Sequence, residues 1–125
     1  MVLVVEDDAE MNELHRELLA AHGFDSVAAY SGLEALRKTR ECPADAVLLD
    51  LMLPELDGFE TCRRIRSDGT RRIPIVVVTA LDSEDCRRRG FELGADAYFS
   101  KPFDPDELVM TIRTLIEQSC AGSPP

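Results

Sequence analysis

The chain has 125 residues, enough for one domain with a real hydrophobic core. Its 14 basic and 24 acidic residues leave a net charge of -10, which disfavours direct contact between this domain and a nucleic-acid backbone. No stretch approaches the roughly 18 consecutive apolar residues of a membrane span. The N-terminus lacks the basic region and cleavage site of a signal peptide, so a cytoplasmic address without a membrane partner is expected.

The elements follow in order. Val2 to Val5 is a short apolar run that reads as a buried strand, and it ends in Glu6-Asp7-Asp8. Residues 9 to 22 predict a helix with Met11, Leu14, Leu18 and Leu19 at helical spacing, Asp8 as its N-cap and Gly23 as a left-handed C-terminal cap. His15, on this helix, is expected at the surface. A weak strand at Ser26 to Ala29 precedes a helix from Gly32 to Thr39, with Ser31 as its N-cap. Pro43 breaks the chain before a second buried run, Ala46 to Leu49, which again ends in acid, at Asp50.

A loop with Pro54 and Asp57-Gly58 leads to a third helix, Phe59 to Ser67, and Asp68-Gly69 signals a turn. Ile73 to Val78, with Pro74 near its start, reads as the clearest buried strand and runs into Thr79-Ala80. Ser83 opens a fourth helix that ends near Leu93-Gly94, and its Arg87-Arg88-Arg89 run reads as a solvated face. A short strand at Ala97 to Phe99 precedes Lys101-Pro102. The last helix starts at Asp104-Pro105, with Leu108, Val109, Ile112, Leu115 and Ile116 on its apolar face. Residues 119 to 125 have linker composition and form an expected tail. Cys42, Cys62, Cys86 and Cys120 are widely spaced; with His15 and His22 they give no zinc-like pattern, so free thiols in a reducing cytosol are expected.

Five strands alternating with five helices make a (βα)5 plan, in which helices supply the crossovers of a parallel sheet. Ligands of such sheets bind outside the carboxyl ends of the strands. Glu6, Asp7 and Asp50 therefore belong to one crevice, together with Thr79 and Lys101. Carboxylates that close repel unless a cation neutralises them, and a set of oxygen donors suits Mg²⁺. Hydroxyl and ammonium groups donate to phosphate oxygens. The set is equipped for phosphoryl transfer to a carboxylate.

Four blocks carry a resemblance to a known family: Val4-Val5-Glu6-Asp7-Asp8, the stretch from Val47 to Gly58 around Asp50, Thr79-Ala80, and Gly94 to Phe103. In this order and spacing they resemble the receiver domain of two-component response regulators over residues 2 to 118. The resemblance implies a flavodoxin-like three-layer α/β sandwich with a parallel sheet in the order 2-1-3-4-5. It further implies that Asp50 accepts a phosphoryl group from a sensor histidine kinase. Asp7 and Asp50 bind Mg²⁺ directly, Glu6 does so through water, and Met52 offers its backbone carbonyl. Thr79 contacts the phosphoryl oxygen and Lys101 pairs with Asp50, with the Lys101-Pro102 peptide cis. Tyr98 is the aromatic switch, turning inward as Thr79 moves.

The segment from Phe103 to Leu108 resembles receivers attached to winged-helix DNA-binding domains. These dimerise through the face of the fourth helix, fifth strand and fifth helix. Arg87 and Glu107 match one cross-subunit charge pair of that face. Ala97 stands where an aspartate is usual and Thr111 where a basic residue is usual, so another pair is missing. Met1 begins directly at the first strand, so trimming at both ends and removal of a transcriptional effector domain are expected. Two other readings compete. A haloacid-dehalogenase-like phosphatase wants a second acid two residues after its aspartate, where this chain has Met52. A pseudo-receiver keeps the fold as a binding module without phosphorylation, but all five site positions are filled.

Overall fold

The computed structural model describes residues 1–68 and 72–121. In chain order the elements are β1 (Val2–Val5), α1 (Ala9–Ala21), β2 (Ser26–Ala29), α2 (Gly32–Glu41), β3 (Ala46–Leu49), α3 (Gly58–Asp68), β4 (Ile75–Thr79), α4 (Glu84–Glu92), β5 (Ala97–Ser100) and α5 (Pro105–Ala121). Gly69 of the expected turn and residues 122–125 of the expected tail lie outside the described residues, as does the Cys120 side chain. Residues 119–121 continue α5. Cys42, Cys62 and Cys86 are free thiols. Among the described residues, no helix is long and apolar enough to cross a membrane.

The sheet is parallel in the order β2-β1-β3-β4-β5, as expected. β1, β3 and β4 are buried along their whole length because helices cover both faces. Alternate side chains divide between two cores. Leu3, Val5, Val47, Leu49, Ile75 and Val77 pack with Leu36 of α2 and with Phe59, Cys62 and Ile65 of α3. Val2, Val4, Ala46, Leu48, Val76 and Val78 pack with Leu19 of α1 and with Leu108 and Ile112 of α5. Strand order reverses between β2-β1 and β3-β4-β5, so a crevice opens where β1 and β3 end.

Local chemistry sets the boundaries. Asp8 caps α1 by accepting from the Glu10 and Met11 amides, Ser31 caps α2 through Glu34, and Ser83 caps α4 through Cys86. Gly23, at φ 87°, ends α1 in the left-handed region. β4 begins at Ile75 rather than Ile73, because Pro74 has no N–H for the ladder. Its carbonyl still accepts from the Val47 amide at 2.9 Å. At the pole away from the crevice, Asp96 accepts from Arg66 Nη2 at 2.9 Å, Arg72 Nη2 at 2.5 Å and the Ile75 amide at 2.8 Å, joining α3, β4 and β5.

Two expectations are corrected. The α1 stripe of Met11, Leu14, Leu18 and Leu19 is rotated: Leu14 is 57% exposed, while Asn12, His15 and Leu19 are buried. His15 is therefore no surface histidine. Its ring packs on Phe103 with centroids 5.7 Å apart, and its buried Nε2 has no hydrogen-bond partner among the described residues. The Arg87-Arg88-Arg89 run is a largely solvated face, as expected, with Arg88 and Arg89 exposed and Arg87 partly buried. Arg87 lies over the Tyr98 ring and Arg89 over the Phe59 ring, at 5.0 and 4.1 Å. Arg88 pairs with Asp85 at 2.8 Å.

Burial, with the Lys101 charge adding to it, lowers the His15 pKa from 6.5 to about 4. The folded state thus keeps a neutral ring where the unfolded chain takes up a proton. This contribution to stability is complete above pH 6.5 and is lost as pH falls toward 4. Urea titrations across that window should show a stability loss of roughly 3 kcal/mol from this group, and His15→Leu should remove that part of the slope. In the other layer, Ile112→Ala should cost about 2–5 kcal/mol in the same assay, because Ile112 is wholly buried between α5 and the sheet.

Candidate functional site

The crevice is built from the chain just beyond four parallel strands. Glu6 follows β1 and is 4% exposed; Asp50 follows β3 and is 8% exposed. Thr79 closes β4 and is fully buried. Lys101 follows β5, held there by its own amide bond to the Thr79 carbonyl at 2.8 Å. Residues far apart in sequence meet at one nitrogen. Lys101 Nζ donates to Glu6 Oε1 and to Asp50 Oδ2, each at 3.0 Å. The other Asp50 oxygen, Oδ1, accepts from the Met52 amide at 2.9 Å. The Lys101-Pro102 peptide is cis, as expected.

Glycine shapes the approach to Asp50. The Gly58 amide donates to the Leu51 carbonyl at 3.0 Å. A Cβ at Gly58 would stand 2.3 Å from Leu51 Cα and 2.5 Å from the Asp50 carbonyl oxygen. No larger residue lets the start of α3 come this near the acid-bearing turn.

The charges are tightly coupled. Burial pushes the Glu6 carboxyl up to about 7; the Lys101 hydrogen bond opposes this and the Asp50 charge reinforces it. For Lys101 burial disfavours the ammonium, but the bonds to Glu6 and Asp50 prevail and raise its pKa. The pair is thus two buried acids sharing one cation. Asp7, next to Glu6, is exposed. Among the described residues, no three acidic, histidine or cysteine side chains are gathered tightly enough to form a ready cation cage. The donor chemistry still suits a hard divalent ion, since two buried carboxylates share a single ammonium, which offsets only part of their charge, and Asp7 next in sequence is a further oxygen donor. The Met52 side chain is exposed, while its backbone amide is bonded to Asp50.

Thr79 and Tyr98 are joined through one residue. The Leu81 amide donates to Thr79 Oγ1 at 3.3 Å, and the Tyr98 hydroxyl donates to the Leu81 carbonyl at 2.5 Å. Tyr98 is inward, 6% exposed. Its ring lies beneath the Arg87 guanidinium and against Gly90, where a Cβ would come within 3.2 Å of two ring carbons. The structure thus brings Glu6, Asp50 and Lys101 into direct contact, links Thr79 to Tyr98 through Leu81, and leaves Asp7 exposed.

Asn12 has no part in the sequence reading, yet its buried amide reaches the carbonyls of Val4 and Glu6 at 3.1 Å and of Ala29 at 3.3 Å. Its signal was a polar residue one turn before His15 and two before Leu19, the stripe that faces the sheet.

Comparison with known proteins agrees with this geometry. The profile of the response regulator receiver domain matches residues 2–113. The response regulator MprA of Mycobacterium ulcerans (strain Agy99) is 42% identical over 118 residues, which is 94% of this chain and 50% of that protein. The chain spans about half the length of the curated relatives it matches. Among solved structures, the BeF3-activated N-terminal receiver domain of Klebsiella pneumoniae RstA superposes with a TM-score of 0.87 at 35% identity, covering 94% of this chain and 98% of that one. The receiver domain of the Francisella response regulator 1452 superposes with a TM-score of 0.88 at 30% identity, covering 94% and 97%. The crevice at the strand ends, the parallel fold and the profile match converge, and the chain belongs to the response regulator receiver domain family.

Proposed function

We propose that this receiver is a phospho-accepting switch in which Asp50 takes a phosphoryl group from the phosphohistidine of a sensor histidine kinase. The observation that carries the reading is the Lys101 ammonium shared by Glu6 and Asp50. An Asp50 oxygen attacks phosphorus while the phosphorus–nitrogen bond to the donor histidine breaks, leaving an acyl phosphate on Asp50. The Met52 amide and Lys101 hold the two Asp50 oxygens in fixed directions. Lys101 stays bound to one of the acids and balances charge on the transferred group.

Glu6, Asp7, Asp50 and the Met52 backbone carbonyl would hold Mg²⁺. The ion supplies neutralisation of the phosphoryl oxygens. Thr79 donates its hydroxyl to a phosphoryl oxygen. A modified Asp50 carries about -2 charge and three strong acceptors at neutral pH, so it draws on the Thr79 hydroxyl that now accepts from Leu81. Any shift of Thr79 passes through the Leu81 backbone to the Tyr98 hydroxyl. Tyr98 lines a groove of about 500 Å³ with Arg87, Phe91, Phe99 and Glu107. This face of α4, β5 and α5 is the proposed output surface.

A second copy docking there would use Arg87 and Glu107, with Ala97 and Thr111 leaving the centre of the face uncharged. Residues 1–118 form the switch and residues 119–125 begin the passage toward an effector domain that controls transcription. The domain turns over no external substrate beyond its own phosphorylation and dephosphorylation, and it works in the cytoplasm.

With acetyl phosphate and Mg²⁺ the chain should take up about one phosphoryl group, and Asp50→Ala should take up none, as read by intact mass. Equal uptake by Asp50→Ala would overturn the assignment, and sustained phosphate release from an ester would indicate a phosphatase instead. Met52 and Leu81, two residues after Asp50 and Thr79, would flank the acyl phosphate with apolar side chains and hinder water. Met52→Asn should therefore lose its phosphoryl group several-fold faster, and an unchanged rate counts against that shielding role.

A further inference from the structure

We infer that Asn12 is a positioning residue for the Glu6-Asp7 acidic pair, and that Arg16 sets the orientation of its amide. The inference rests on the phospho-acceptor reading, because it concerns the same acids. Asn12 lies one turn into α1 and is fully buried. Its Nδ2 protons are shared among the carbonyls of Val4, Glu6 and Ala29, at 3.1, 3.1 and 3.3 Å. Arg16 Nε donates to Asn12 Oδ1 at 2.8 Å. Carbonyls only accept and the Arg16 N–H only donates, so the amide has one workable orientation.

The contact with Glu6 matters most. The Glu6 carbonyl and the Asp7 N–H belong to a single planar peptide. Fixing that carbonyl fixes the plane from which both acidic side chains depart. The Glu6 amide is held as well, donating to the Ala29 carbonyl at 3.0 Å. Both ends of the Glu6 backbone are therefore tied to β2 and α1, and the turn has little freedom to swing its carboxylates. Asp7 is exposed and has no such anchor among the described residues, so its direction depends on this plane. A buried amide serving only to fill hydrogen bonds needs no particular carbonyl; this one meets the residue whose carboxylate contacts Lys101.

The test is titration calorimetry of Mg²⁺ into the 125-residue chain, with circular dichroism to confirm folding at the same temperature. Partners of this outer kind typically cost about 10–100-fold in metal affinity when removed. Asn12→Ala should therefore weaken Mg²⁺ binding by about tenfold or more. Arg16→Leu, which keeps the amide but frees it to turn, should weaken it several-fold. Leu14→Ala, on the exposed side of the same helix, should leave it unchanged. An Asn12→Ala protein with a lower melting temperature but wild-type Mg²⁺ affinity would show a structural staple only and overturn the inference. Should Asn12→Ala not fold, Arg16→Leu decides, and wild-type affinity there overturns it equally. If the unmutated chain neither binds Mg²⁺ at millimolar concentration nor takes up phosphoryl, the phospho-acceptor reading fails and this inference falls with it. Binding and uptake retained by both wild type and Asn12→Ala would sink this inference alone.

Discussion

The structure is organised around one unfavourable fact: two carboxylates, Glu6 and Asp50, are buried within reach of the same ammonium. Bringing acids together out of water is costly unless a cation stands between them. Lys101 is that cation, and its position depends on everything that places β5 beside β4. The Asp96 network, the Val76↔Ala97 register and the bond from the Lys101 amide to the Thr79 carbonyl all serve to bring its side chain back across the sheet. One ammonium for two carboxylates leaves the cluster short of positive charge.

From that cluster a short mechanical path leads to the surface. Thr79, the Leu81 backbone and the Tyr98 hydroxyl form two successive hydrogen bonds. Tyr98 in turn fits between the Arg87 guanidinium and the space that Gly90 leaves by lacking a side chain. A glycine inside a helix ordinarily costs about 1 kcal/mol relative to alanine; here it admits an aromatic ring. Tyr98 and Arg87 thus meet through packing as well as charge, and both line the groove along α4, β5 and α5.

The two faces of the sheet differ in how readily they could be read. The unbroken apolar runs of β1, β3 and β4 and the acids that follow β1 and β3 were plain, because parallel strands buried on both faces carry apolar residues throughout. The face of α1 was not. Counting apolar residues pointed to Leu14, while the helix instead turns Asn12 and His15 inward, since Asn12 bonds the carbonyls of Val4, Glu6 and Ala29 and His15 fills the space beside Phe103. Polar residues at helical spacing look like solvent-facing ones until their partners are known. The arginine run on α4 is largely solvated, but its sequence does not display the aromatic rings of β5 and α3 on which Arg87 and Arg89 lie.

The sequence by itself determined the order of strands and helices, the caps at Asp8, Ser31 and Ser83, and the identity of the residues that end the strands. These depend on local patterns of burial, turn chemistry and spacing, which a linear chain displays. Tertiary structure alone decided which residues touch: that Lys101 is shared by Glu6 and Asp50, that Leu81 joins Thr79 to Tyr98, and that Asn12 holds the Glu6 carbonyl. Each of these contacts spans elements separated by crossovers, and its existence follows from sheet order and helix rotation rather than from any residue's neighbours in sequence. The two acidic strand ends looked alike along the chain. In three dimensions one is held by α1 and the other by the turn before α3, and only their shared lysine makes them a single site.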